Sequence, residues 1–383
     1  MSSPAGERPR GVRSRRRAAE VAVVGCSDAA SRAVLRALVA AAGRGLTAEL
    51  DGQQVSLGQV VAVDTQRPIV EGVELRLADP GDPSLVTALA GVSLAAYVAA
   101  STDLAADQAL GVARRRERSL RRAQTVVTAA AAAGVRRLVV VTSAKVYGAE
   151  ADNPVPLDED APLRAPSDEG QVGDLMDVEQ LVAVAREVHP GLSITVVRPA
   201  ALVGEGVDTV ITRHFEAPRL LILRGAEGAW QFCHVDDLGT AVVAALRQDL
   251  GPAVTAGCEG HLTQRDLERL TGMRSVVLGL GAAMGTADRL HRVGLLPAPA
   301  SELAYAAYPW VVPSRTLREA GWVPVHDNET CLGVLLTQIR GSHAVAARRL
   351  DRKDAALGAA SAAVALVGTA AIMRRRRRKG GAS

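Results

Sequence analysis

The chain has 383 residues, 48% of them apolar and 22% charged, which suits one large or two small domains and excludes a wholly disordered or fibrous protein. Only three Trp, four Tyr and two Phe are present, too few rings for a stacking platform, so the composition argues against nucleic acid as a partner. The net charge of +4 is uneven: six arginines against one glutamate in Glu7–Arg17 and six cations in Arg374–Lys379 exceed that total, so the body between the ends is acidic.

Residues 1–18 mix Pro, Gly, Ser and Arg without an apolar period and read as a disordered basic arm. They are not read as a signal peptide, because Val21–Val24 is too short an apolar run. From residue 20 the chain alternates strand-like runs with Ala-rich helical stretches. A strand is predicted over 20–25 and a helix over 29–42. After a polar stretch (43–58) come strands over 59–64 and 73–79, a short helix near 83–90 and a strand over 92–100. A long helix over 119–133, a strand over 135–144, a helix over 178–188 and a strand over 192–200 complete the series. Apolar strands with helices between them predict a parallel sheet covered on both faces. The fold class is therefore α/β, a doubly wound (Rossmann) domain over 19–200.

A smaller lobe is expected over 201–345, where 230–237 leads into a helix over 238–246 and 310–322 holds a short helix ended by Gly321. Residues 355–373 then run for 19 positions without a charge, followed at once by a basic tail, 374–383. As a helix that run is roughly 28 Å long, enough for a bilayer core, and it reads as a transmembrane or membrane-lying segment. Nine of the 19 are Ala, so an Ala-rich helix packed on protein is the alternative. Free cysteines and the lack of a secretory signal place the body in the cytoplasm, attached to the cell membrane by that helix. Cys26, Cys233, Cys258 and Cys331 show no CxxC or CxxH spacing, so neither a metal cage nor a disulfide framework is expected.

VAVVG (21–25), Asp64, Asp79, VRRLVVVTSAKVYG (135–148), VVRPAALVG (196–204) and FCHVDDL (232–238) together resemble the NAD-dependent epimerase/dehydratase family, the extended short-chain dehydrogenase/reductase group. The likeness runs from residue 20 to about 340. It implies a small lobe for a nucleotide or nucleotide-sugar-like substrate and NAD on the N-terminal sheet, with Gly25, Asp64, Asp79 and Ala99 at the cofactor. Arg198 and His234 would lie at the substrate, and Ser143 would be the helper hydroxyl. Gly25 suits a tight turn into a helix N-terminus whose amides can hold a pyrophosphate. The family's next two loop glycines are Asp28 and Ser31 here, so Asp28 either caps the helix or sets a carboxylate where phosphates would sit. Asp64 favours NAD over NADP; it follows Gly25 by 39 residues rather than about 20, an excess attributed to the polar stretch 43–58. Asp236 and Asp237, being adjacent, are read as cap and first-turn charges.

The family's chemistry uses a Tyr with a Lys four residues later, and the chain has none. Four residues after Tyr97, Tyr147, Tyr305 and Tyr308 stand Ser101, Ala151, Pro309 and Val312. Aligned through 179–182, the Tyr and Lys positions hold Gln171 and Leu175, which offer neither a titrating proton nor a charge. The sequence thus predicts an impaired family member acting as a membrane-associated binding module. An active enzyme with unorthodox residues and a lipid- or nucleic-acid-tethered scaffold are the alternatives.

Overall fold

Every second residue of the central strands faces the same side, and both sides are buried. Val21, Val23, Leu94, Ala96, Val139 and Val141 join one apolar cluster, while Ala22, Val24, Ala95, Tyr97, Leu138 and Val140 join another. Strands buried on both faces need helices above and below, and the chain supplies them. The computed structural model describes residues 18–348 apart from 168–169, 218, 227 and 293–299. The expected apolar helix 355–373 and the basic tail lie outside the described residues, as does nearly all of the basic arm. No described helix is long and apolar enough to cross a membrane.

β1 (Ala19–Val24) leads through Gly25 into α1 (Ala29–Gly43). The polar stretch that follows forms a hairpin: β2 (Thr47–Leu50) pairs antiparallel with the start of β3 (Gln53–Asp64). Asp51 and Gly52 make the turn at φ 51° and 72°, the left-handed backbone of a two-residue hairpin. This hairpin fills the long interval between Gly25 and Asp64. β4 (Glu74–Leu77) lies parallel to the end of β3, and α2 (Leu85–Ala88) leads to β5 (Val92–Val98).

The next helices are longer than expected. α3 (Leu104–Leu110) and α4 (Val112–Ala132) precede β6 (Arg137–Val141), and α5 (Gln171–Val188) precedes β7 (Ser193–Pro199). The first two turns of α4 are largely charged and bury nothing, and its buried residues begin only at Ala123, so no apolar period marked its start. The sheet order is β12-β7-β6-β5-β1-β3, with β2 and β4 both on β3, and every strand but β2 is parallel. From β1 the chain builds outward through β3, then returns to the other side of β1 at β5. That reversal opens a crevice at the carboxyl ends of β1 and β5.

The division expected at residue 200 is crossed by the chain. β8 (Ala201–Val203), α6 (Val210–His214), β9 (Leu220–Leu223), β10 (Ala229–Trp230) and β11 (Phe232–His234) leave the main sheet. α7 (Val235–Arg247) and β12 (Ala253–Ala256) then return, α7 against α1 and β12 beside β7. A Cβ on Gly239 of α7 would stand 2.7 Å from the Ala33 carbonyl oxygen, so only glycine allows this approach. β13 (Leu262–Thr263), α8 (Gln264–Thr271), β14 (Ser275–Leu278), α9 (Leu280–Arg292), α10 (Arg315–Glu319) and α11 (Asn328–Arg348) complete the described chain, with β9–β14, β10–β13 and β8–β11 as small paired sheets. All four cysteines are buried and free. They are less scattered than their spacing suggests: the Cys258 and Cys331 sulfurs lie 3.6 Å apart.

Candidate functional site

A cavity of about 260 Å³ occupies the crevice at the switch in strand order. Gly25 forms one end: at φ +75° it turns the chain off β1, and only Pro80 lies near the place of its missing Cβ, at 3.7 Å. Three of the amides beyond it are already engaged. Cys26 N–H donates to Asp64 Oδ2 (2.5 Å), Ala29 N–H to Thr102 Oγ1 (3.2 Å) and Ser31 N–H to Asp28 Oδ1 (2.8 Å). Asp28 is therefore the N-cap of α1. Burial raises its pKa, opposed by the hydrogen bonds from Ser31 and Thr102.

Along the floor, Ala99 and Ala100 follow β5 and are tied to β6 by bonds from their N–H groups to the Val141 carbonyl, at 2.9 and 3.2 Å. At the far end Ser143 follows β6 and its Oγ accepts from Lys145 N–H (3.3 Å), capping a 3₁₀ turn over Ala144–Tyr147. The Lys145 ammonium also lines the cleft, 3.7 Å from the buried Glu302 and 5.3 Å from the centre of the Tyr305 ring. Gln171 and Leu175, one turn apart at the start of α5, complete that end. The Gln171 side chain donates to Asp107 Oδ2 (2.7 Å), and its backbone N–H to Glu302 Oε1 (3.1 Å).

The roof is α4, which turns Arg115, Arg118, Ser119 and Arg122 into the cleft at helical spacing. Arg115 Nε pairs with Asp174 at 2.6 Å and Arg118 with Asp107 at 2.8 Å. Burial raises the Asp174 pKa even against its hydrogen bond from Arg115. Tyr97, on the neighbouring strand, is pushed up to about 12 by burial, with Arg122 and Arg118 pulling the other way.

Of the residues expected from sequence, the cleft brings together Gly25, Ala99 and Ser143, and it also contains Gln171 and Leu175. The others do not line it. Asp64 is buried, with one oxygen on the Cys26 amide and the other on Thr65 N–H (2.6 Å). Asp79 closes a surface turn by accepting from Gly81 N–H (2.8 Å). Arg198 is buried against Glu179 in a two-pronged pair (3.0 and 2.8 Å) and donates to the Tyr147 hydroxyl (2.9 Å). His234 caps α7 by accepting from Asp236 N–H (3.2 Å) and stacks on His326 at 3.9 Å. Burial and the neighbouring His326 lower its pKa. Asp236 and Asp237 lie in the first turn as expected, but the cap is His234, and Asp237 accepts from Val325 and His326 N–H (2.9 and 3.1 Å). The sequence reading missed Lys145, Asp107, Asp174 and the arginines of α4. The signal available was the 115–118–122 spacing, which runs into the helix predicted over 119–133. Among the described residues no group of His, Cys, Asp or Glu is arranged to hold a metal.

A model of the NAD dependent epimerase/dehydratase family matches residues 42–256. An uncharacterized protein of Mycobacterium tuberculosis (strain ATCC 25618 / H37Rv) is 27% identical over 289 residues, covering 73% of this chain and 76% of that protein. Among solved structures, the UDP-glucose 4-epimerase of Thermotoga maritima with UDP-glucose aligns at a TM-score of 0.60 and 16% identity, over 84% of this chain and 99% of that one. The dTDP-glucose 4,6-dehydratase of Streptomyces venezuelae with NAD bound gives 0.60 at 19% identity, over 84% and 97%. At these identities the two enzymes and this chain share the fold.

Proposed function

The chain belongs to the NAD dependent epimerase/dehydratase family, and from that premise we propose that it binds a dinucleotide or nucleotide-sugar while its hydride-transfer chemistry is impaired. The observation that carries this reading is the start of α5. Gln171 and Leu175 stand in the cleft at the spacing of the family's Tyr and Lys, and the Gln171 amide is tied to Asp107 (2.7 Å). Neither side chain can hold or pass a proton at neutral pH.

The cleft's residues fit a dinucleotide along the strand ends. Gly25 adds no side chain at the turn, and Ala99 and Ala100 add little bulk beneath it. Gly25, Ala99 and Ser143 would lie along the cofactor, whose nicotinamide ring supplies hydride chemistry when bound. Ser143 would offer its hydroxyl to a substrate oxygen, and Tyr97, a tyrosine lining the cleft, has Ser101 rather than a lysine four residues on. UDP-glucose in the similar Thermotoga maritima enzyme makes a nucleotide-sugar the ligand class to test first.

Calorimetric titration of the full-length protein with NAD+, NADH and UDP-glucose tests the reading. Saturable binding without turnover is expected; interconversion of a nucleotide-sugar at several per second with NAD would overturn it. One observation favours a second reading, an active enzyme with unorthodox residues: Lys145 shares the cleft with Ser143. Under that reading turnover exists and Lys145→Ala abolishes it.

The proposal also places the body in the cytoplasm, tethered by residues 355–373. Its support is the uncharged 19-residue run with basic clusters at both ends. Full-length protein should resist extraction from membranes by high salt, and protein lacking 355–383 should be released. Release of the full chain by salt alone would sink the tether.

A further inference from the structure

A diphosphate is strongly anionic, and a fold of this kind normally receives it on the amides after the first strand. Here the amides of Cys26, Ala29 and Ser31 donate to Asp64, Thr102 and Asp28, and the cap itself is a carboxylate. With three of the amides taken and a carboxylate at the cap, a phosphate in the cleft needs cations from elsewhere.

The cations that line it are Arg115, Arg118, Arg122 and Lys145. Arg115 pairs with Asp174, Arg118 with Asp107 and Lys145 with Glu302. Arg122 makes no hydrogen bond or ion pair with a described residue. It is half-buried rather than a freely waving surface group, because its stem packs over the Asp79–Gly81 turn, with Cγ 3.5 Å from where a Gly81 Cβ would be. It also stands beside Tyr97, which pairs in register with Val24, the residue before Gly25. An unpaired guanidinium therefore sits at the mouth of a loop in which three of the amides, those of Cys26, Ala29 and Ser31, are taken. Arginine meets phosphate oxygens in a fork of two hydrogen bonds, and partial burial strengthens the attraction.

We propose that Arg122, with Arg118 one turn before it, holds the phosphates of a diphosphate-bearing nucleotide in this cleft, in place of the engaged amides of Cys26, Ala29 and Ser31. The inference rests on the nucleotide-binding reading above and specifies which atoms carry it. The diphosphate comes either from a dinucleotide cofactor or from a nucleotide-sugar.

The test is calorimetry on the full-length protein with NAD+, UDP-glucose and, as a phosphate-free control, adenosine. Arg122→Gln is expected to weaken binding of NAD+, UDP-glucose or both by roughly 10–100-fold, the usual loss of a charged hydrogen-bond partner. Adenosine binding and the melting temperature should stay unchanged, and Arg122→Lys should restore part of the loss. Whichever ligand loses affinity identifies the source of the diphosphate. If wild type binds a diphosphate ligand and Arg122→Gln binds it equally well, this inference fails while the nucleotide-binding reading stands. If wild type binds neither NAD+ nor UDP-glucose, both fail together. Should Arg122→Gln prove unfolded, Arg118→Gln and the salt dependence of wild-type affinity carry the test; a salt-independent affinity overturns the proposal.

Discussion

Glu179 accepts from both prongs of Arg198 and also from the Thr142 hydroxyl (2.7 Å), all beneath the sheet's carboxyl edge. Burial alone would lower the Arg198 pKa; the Glu179 hydrogen bonds outweigh it and raise it. Removing the carboxylate strands a buried guanidinium, so Glu179→Ala should cost about 3–5 kcal/mol in urea unfolding, and Glu179→Gln less. A loss under about 1 kcal/mol would mean that the pair contributes little beyond filling space. His214 makes a pH argument at the same scale. Its ring stacks on Trp230 at 5.3 Å, its Nε2 is buried without a partner among the described residues, and burial lowers its pKa to about 4. The folded value lies below the unfolded value of about 6.5, so the neutral ring favours the fold. That contribution is complete above pH 6.5 and is lost as pH falls toward 4. Melting temperatures of wild type should drop across this window more steeply than those of His214→Phe; parallel curves would refute the assignment.

Among the elements, two glycines separate conformation from space. Gly52 closes the β2–β3 hairpin at φ +72° with nothing within 4 Å of its would-be Cβ. Gly52→Val should therefore cost about 1–3 kcal/mol through backbone strain alone. Gly239 has ordinary backbone geometry but lies against the Ala33 carbonyl, with 2.7 Å to its would-be Cβ. Gly239→Ala should cost a similar 1–3 kcal/mol by pushing α7 off α1. Chemical denaturation of both variants checks the pair, and a neutral Gly239→Ala would show that the helices can separate freely. The same elements show what sequence could carry. Apolar runs such as 20–25 and 92–100 were legible because burial on both faces leaves no polar positions. The hairpin was not read, although Asp51-Gly52 is a strong turn signal, because the flanking residues are mostly polar. The early turns of α4 and α5 were missed because charged or Gly- and Asp-containing turns show no apolar period.

For the whole molecule, the family and the sheet were readable from short local runs of sequence, and the cleft only in part. Gly25, Ala99 and Ser143 meet there because each ends or follows a neighbouring strand. Arg198 and His234 looked equally functional, yet their side chains engage Glu179 and His326, which no local pattern reveals. The lost dyad gives a direct test. Gln171→Tyr with Leu175→Lys rebuilds the pair on the cleft face of α5, and any turnover of a nucleotide-sugar should rise by about 10²–10⁴-fold over wild type. An unchanged rate in a variant that still binds NAD+ would place the defect elsewhere, with Lys145 and the α4 arginines next in line.

The return of the chain to its main sheet also sets a clock on synthesis. β12 pairs with β7, but the 53 residues from Ala200 to Pro252 must be made between them. At about 5–20 residues per second, the outer edge of β7 waits roughly 3–10 s without its neighbour. An unpaired parallel edge is a template for wrong strands, so nascent chains stalled in that interval should be sensitive to protease and prone to aggregate. Chains stalled some 40 residues past Ala256, beyond the exit tunnel, should be protected, and equal protection at both lengths would show that the edge is shielded by something else.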